Sequence, residues 1–191
     1  DPGAVLIVEF IGYDPHALPA AIDRLEADLR ARGLGGHIHR AIPPAAQARI
    51  WQLRQAALGL TMSATGDPKA ISFVEDTAVD PAHLRDYIEN FQTILARHNT
   101  EAGFYAHASV GLLHIRPVVD MKTAAGVAAF AAIAEEVAEL VLEYGGALSG
   151  EHGDGLVRAP FQEKMFGPTL YDAFCQVKAA FDPTALFNPG K

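Results

Sequence analysis

Two short segments gather the side chains best able to do chemistry. The first is His107-Ala-Ser-Val-Gly-Leu-Leu-His114, inside two alternating runs between Phe104 and Val119 that predict a β-hairpin. With Val110-Gly111 as the two loop residues, Ser109 faces Leu112, Ala108 faces Leu113 and His107 faces His114. Directly opposed residues hold their Cβ atoms about 4.5–5.5 Å apart on one face of a sheet, so both imidazoles can reach a single divalent ion. Tyr105 and Arg116 share that face through the period of two. A second reading stays open at this point, a partly buried His pair with ordinary hydrogen bonds, because two His ligands are too few by themselves. The second segment is Ser149-Gly-Glu-His-Gly-Asp-Gly155, which sets three titratable groups among glycines that allow positive φ and close approach to a ligand. A carboxylate from it can supply a third ligand and leave positions for substrate or water, as a catalytic ion requires; a plain turn is the alternative. Neither nucleotide-binding glycine pattern is met, since no Lys-Ser/Thr pair closes the run and it is not Gly-x-Gly-x-x-Gly after a strand.

Other polar groups offer less. His16, His37, His39, His83 and His98 form no comparable constellation, although His37 and His39 would share a face if Gly36 to Ile42 were a strand. Glu75-Asp76 ends a predicted strand beside Asp80 and reads as structural or solvated, with an acidic cation site as the alternative.

The elements that must position these groups follow from punctuation and period. Val5 to Phe10 reads as a strand, Asp14-Pro15 opens a helix through Leu18, Ile22, Leu25 and Leu29 that Gly33 closes, and Gly36 to Ile42 reads as a second strand. Pro43-Pro44 opens a second helix that gives way between Thr61 and Pro68, and Ala70 to Val79 reads as one strand. Asp80-Pro81 caps a third helix whose apolar positions are Leu84, Tyr87, Ile88, Phe91, Ile94 and Leu95. After the hairpin, Val127 to Tyr144 forms a fourth helix, and two helical segments, Pro160 to Phe166 and Pro168 to Phe181, close the chain. Strands alternate with helices but a hairpin interrupts them, which predicts an α+β domain with a largely antiparallel sheet and helices on one side. No linker or low-complexity run divides residues 1–191.

Composition narrows the function classes. The 191 residues are 50% apolar and 20% charged, which is globular. With 23 acidic against 15 basic residues the net charge is −8, which opposes a phosphate backbone and sets nucleic acid aside. One cysteine, Cys175, excludes an internal disulfide or a cysteine-rich metal cluster within this chain. No run of 18 apolar residues predicts a membrane span. A chain that opens on Asp1 and stops at Lys191 after a Pro-Gly pair reads as part of a longer one.

Four motifs in order then carry a family resemblance: His107 to His114, Ser149 to Gly155, Phe181-Asp-Pro183 and Phe187-Asn-Pro-Gly-Lys191, with Trp51-Gln-Leu-Arg54 as a fifth match. Over nearly its whole length the sequence resembles the C-terminal domain of FAD-linked oxidases, the group of D-lactate dehydrogenase, the glycolate oxidase flavin subunit and D-2-hydroxyglutarate dehydrogenase. The resemblance implies a ferredoxin-like substrate or cap domain whose FAD is held mostly by a separate N-terminal domain of the same chain. It implies that His107, His114 and Glu151 bind a divalent metal, Zn or Mn, that His152 stands beside the substrate hydroxyl, that Arg54 contacts a substrate carboxylate, and that Asn188 lies near the flavin. Arg116 is the alternative carboxylate grip, and an imidazole with a pKa near about 6.5 suits His152 to take the hydroxyl proton. The family's hairpin commonly reads His-x-Gly-Asp-Gly-Asn-x-His; here Ser109, Val110 and Leu112 depart from it, leaving the identity of the 2-hydroxy acid open. This variant, with Arg116-Pro117 after it, is similar to the branch fused to iron-sulfur modules, which implies such a module as electron acceptor. Location is read as cytoplasmic, free or peripheral to the inner membrane. A non-catalytic ferredoxin-like ligand-binding or assembly module and a self-contained metal hydrolase are the competing classes.

Overall fold

In the computed structural model, which describes residues 3–63 and 65–190, the chain forms two compact units, 1–55 and 56–191. In the first, the Asp14 carboxylate accepts the His16 N–H at 2.9 Å and helix α1 (Ala17–Ala31) follows, ended by Gly33 at φ 66°. The exposed side of α1 is laced by Arg30 and Arg40, both donating to Glu26. Helix α2 (Pro44–Met62) begins at the expected proline pair. The two expected strands do not form: Val5 to Phe10 and Gly36 to Ile42 have no strand pairing, and Val5 and Leu6 are 75% and 71% exposed. A branched apolar run becomes a strand only against a hydrogen-bonding neighbour, and the described residues of this unit contain no strand to pair with. His37 and His39 accordingly share no strand face.

The second unit is organised around β4 (Leu112–Val119). Strand β3 (Ala102–His107) pairs along one edge, while β1 (Lys69–Ala70) and β2 (Thr77–Ala78) share the other, all antiparallel. The continuous strand expected from Ala70 to Val79 is thus split. Ala70 faces Val118 but Thr77 faces Leu113, so seven residue steps on this edge oppose five on β4. The two surplus residues make a bulge, and Asp76 turns it at φ 76°.

The hairpin register also differs from expectation. A 3-10 turn at Ala108–Val110 followed by Gly111 at φ 70° connects the strands, so His107 faces Leu112 and Tyr105 faces His114. Only glycine fits there, because a Cβ would stand 1.8 Å from the Val79 carbonyl oxygen. Since the register moved by two residues, each side chain kept its face, and His107, His114, Tyr105 and Arg116 remain on one side.

The opposite face of β4 builds the core. Helix α3 (Leu84–Arg97), preceded by the Asp80 cap accepting Ala82 N–H at 2.8 Å, and α4 (Ala124–Glu143), capped by Thr123, pack there. Leu113, Ile115 and Val119 meet Tyr87, Phe91, Ile133, Val137 and Val141, with Phe73 and Val74 from the bulge. The result is the expected α+β arrangement. An isolated bridge, Ala78 to Ala147, brings the glycine-rich loop to the sheet. Helices α5 (Gly155–Arg158) and α6 (Gln162–Phe181) follow, α6 broken at Gly167 as two closing segments require. No helix among the described residues is long and apolar enough to cross a membrane.

Candidate functional site

The polar face of β4, the end of β3, the bulge and the Ser149–Gly155 loop converge in the second unit. His114 stands between two aromatic neighbours, its ring centroid 5.5 Å from Tyr105 and 5.1 Å from His152, the latter stacked at 18°. His107 meets it edge-on at 5.3 Å. Three imidazole Nε2 atoms surround one carboxylate oxygen: Glu151 Oε1 lies 3.3 Å from His114, 3.5 Å from His152 and 3.7 Å from His107. The diagonal placement of His107 and His114 reaches the same convergence that direct opposition was expected to give.

Behind the imidazoles stands Glu75. Its carboxylate accepts Arg116 Nη2 at 3.0 Å and faces His114 Nδ1 at 3.9 Å and His152 Nδ1 at 3.6 Å. Arg116 also donates from Nε to Ser72 at 2.9 Å, so its guanidinium bridges the bulge that lies opposite it. His114 is 8% exposed, and its Nδ1 has no hydrogen-bond partner among the described residues. Burial lowers its pKa; the nearby Glu75 raises it and the His152 and His107 charges lower it, for a net downward shift that favours the neutral ring.

Asp76 is wholly buried. Its carboxylate accepts Ser149 Oγ at 2.5 Å, His152 N–H at 2.8 Å and Glu151 N–H at 3.1 Å, while its carbonyl accepts Gly150 N–H at 2.8 Å. Burial pushes its carboxyl pKa up, but the bonds from Ser149, His152 and Glu151 outweigh that and hold it below the ordinary value. Gly150 passes so close to the hairpin that a Cβ would meet Leu112 Cδ1 at 2.0 Å. Arg158, also buried, fastens the far end of the loop by donating to the carbonyls of Glu75 at 3.0 Å and Gly153 at 2.6 Å.

The structure therefore brings together four of the residues singled out from sequence, His107, His114, Glu151 and His152, and sets Arg116 beside them through Glu75. Arg54 belongs to the first unit, where its guanidinium carbon lies 5.1 Å from the Trp51 ring centre. Asn188, at φ 49°, sits in the closing turn that Asp182 fixes by accepting Leu186 and Phe187 N–H. Sequence reasoning undervalued Glu75-Asp76. Asp76 is buried and Glu75 mostly so, and Asp76, His114, Glu151 and His152 each offer a ligand atom within 4.8 Å of the others. The available signal was an acidic pair directly after Phe73-Val74 in a predicted strand, where neighbouring side chains point to opposite faces and the two carboxylates cannot both face solvent.

A mixed α+β domain with an imidazole-carboxylate cluster beside a glycine-rich loop is the class that fold and site define. The family model for FAD linked oxidases, C-terminal domain, matches residues 1–191, and the chain belongs to that family. It is 46% identical over 143 residues to a D-2-hydroxyglutarate dehydrogenase of Haemophilus influenzae, covering 75% of this chain and 14% of the relative. It is 40% identical over 192 residues to the enzyme of that name in Escherichia coli, covering 97% and 19%. Glycolate oxidase subunit GlcD of Bacillus subtilis is 30% identical over 146 residues, covering 73% and 31%. The chain thus spans less than a fifth of the D-2-hydroxyglutarate dehydrogenases it matches.

Proposed function

We propose that this chain is the substrate side of a flavin-dependent dehydrogenase that oxidises a D-2-hydroxy acid to the 2-oxo acid, with D-2-hydroxyglutarate the first substrate to test, and D-lactate and glycolate after it. The observation that carries the reading is the set of three imidazole Nε2 atoms within 3.7 Å of Glu151 Oε1, with Arg116 two residues from His114 on the same strand. Two imidazole nitrogens and a carboxylate suit Zn²⁺ or Mn²⁺ with coordination positions left open, and the neutral form favoured for buried His114 is the form that ligates. His107, His114 and Glu151 would hold the ion. When bound, the ion lowers the pKa of a coordinated hydroxyl and FAD accepts the hydride.

The chain's own residues do the rest. Glu75, facing His152 Nδ1, favours a proton there and leaves Nε2 to take the substrate hydroxyl proton. Arg54 or Arg116 pairs with the substrate carboxylate through two N–H groups, which fixes the carbon that loses hydride. Asn188 contacts the flavin, while a further domain of the same protein holds most of the dinucleotide, an iron-sulfur module takes the electrons, and the whole works in the cytoplasm or at the inner-membrane surface. The test is anaerobic mixing of the complete flavoprotein with each acid. Bleaching of the oxidised flavin with one equivalent of 2-oxo acid formed supports the reading; unchanged flavin with all three acids contradicts it.

A further inference from the structure

The loop that presents Glu151 and His152 contains three glycines within six residues, a composition that by itself leaves its conformation unfixed. Its order comes from outside. Ser149 Oγ, Glu151 N–H and His152 N–H all point at one buried carboxylate, and Gly150 N–H bonds the carbonyl of the same residue. We propose that Asp76 is a positioning residue for the site: it templates the Ser149–His152 main chain so that the Glu151 and His152 side chains face His114. The proposal rests on the metal reading above for what the positioning achieves, and on the hydrogen bonds alone for the positioning itself.

Three features favour this role over direct ligation. Both carboxylate oxygens are engaged by the loop, Oδ2 accepting from Ser149, His152 and Glu151, and Oδ1 sharing the Glu151 N–H at 3.2 Å. Asp76 is itself anchored, its N–H donating to Leu113 O at 2.8 Å, so the template is part of the sheet that carries His114. And it adopts φ 76°, where a non-glycine residue is strained and persists only when its surroundings hold it. The bulge thus delivers one carboxylate, Glu75, to the imidazole side chains and the next, Asp76, to the backbone opposite them.

That backbone angle also provides a clean test, because Asp76→Gly keeps the conformation and removes only the carboxylate. Asp76→Asn, which removes the charge and replaces one of the two acceptor oxygens with an NH₂ donor, is its companion. In the full protein, Co²⁺ and Mn²⁺ uptake is titrated, and amide hydrogen exchange is followed over 149–153 without metal. We expect both variants to bind one ion per chain with an unchanged Co²⁺ absorption band but about 10–100-fold more weakly, as losses of outer-shell partners do. We also expect the Glu151 and His152 amides to lose protection while β4 amides keep theirs. Affinity equal to wild type, or a Co²⁺ band altered in ligand number, overturns the proposal. If the unchanged protein takes up no metal, the metal reading fails, and the exchange data then decide alone: lost protection supports the templating role, retained protection overturns it.

Discussion

The two faces of β4 are built on different terms. One carries Leu113, Ile115 and Val119 into the core against α3 and α4, where the neighbours are apolar side chains apart from the Tyr87 hydroxyl and packing fixes the geometry. The other carries His114 and Arg116 into a polar cluster, open to solvent at Glu151 and His152, whose order depends on two carboxylates of the bulge, Glu75 holding Arg116 and Asp76 holding the loop. The first face tolerates imprecise sequence but not lost volume. The second tolerates little change of charge or donor geometry, and leaves a buried imidazole nitrogen without a partner.

The largest effect should come from the apolar face. Ile115→Ala, at a fully buried position, is expected to cost about 2–5 kcal/mol of stability, measured as a shift of the urea midpoint, while the folded fraction retains its metal response. A metal response lost with the core would show that the two faces are not separable. Next comes Arg116→Met, which strips the bridge to Ser72 and Glu75 and leaves Glu75 beside the imidazoles without its cation. About 1–3 kcal/mol should be lost, with Ser72→Ala costing less, by the same measurement.

A pH titration sharpens the contrast further. Burial, the largest influence on His114, contributes to a folded-state pKa below the ordinary 6.5, so between the two values the unfolded chain binds more protons. Stability of the metal-free protein is therefore fully present above about pH 6.5 and declines as pH falls through the folded value. His114→Gln should flatten that part of the curve, and Ile115→Val should not. The smallest effect belongs to neither face: Arg85→Ala removes an exposed pair with Glu89 on α3 and should change stability by less than about 0.5 kcal/mol.

How much of this was legible in the sequence follows the same division. The period of α3 and α4, the Asp80 cap ahead of α3 and the hairpin's existence are local signals, and all appear where residue type and spacing put them. The hairpin register was not legible, because the choice of a four-residue connection depends on Gly111 closing against Val79, a contact distant in sequence. The apolar runs of the first unit looked like strands because branched residues favour the pleat, but pairing is a property of two segments and one run cannot report its partner. His107 and His114 stood out through their places in an alternating hairpin, and Glu151 and His152 because their neighbours are glycine-rich. Glu75 and Asp76 did not, since what makes a carboxylate structural is who donates to it, and here the donors lie 41 residues away for Glu75 and 73 to 76 for Asp76.

The central claim is that the polar face of β4 and the glycine-rich loop make one cation site, and thermal melts of wild type and His114→Ala with and without Zn²⁺ or Mn²⁺ near neutral pH test it most directly. Free ion at about 100 times its dissociation constant should add about 2.7 kcal/mol to the wild type, raising the melting temperature of a chain this long by about 5–11 °C. The shift should vanish in His114→Ala and fade as acid protonates the imidazoles. Equal shifts in both proteins, or none in either, would contradict the claim and return the three histidines to a purely structural role.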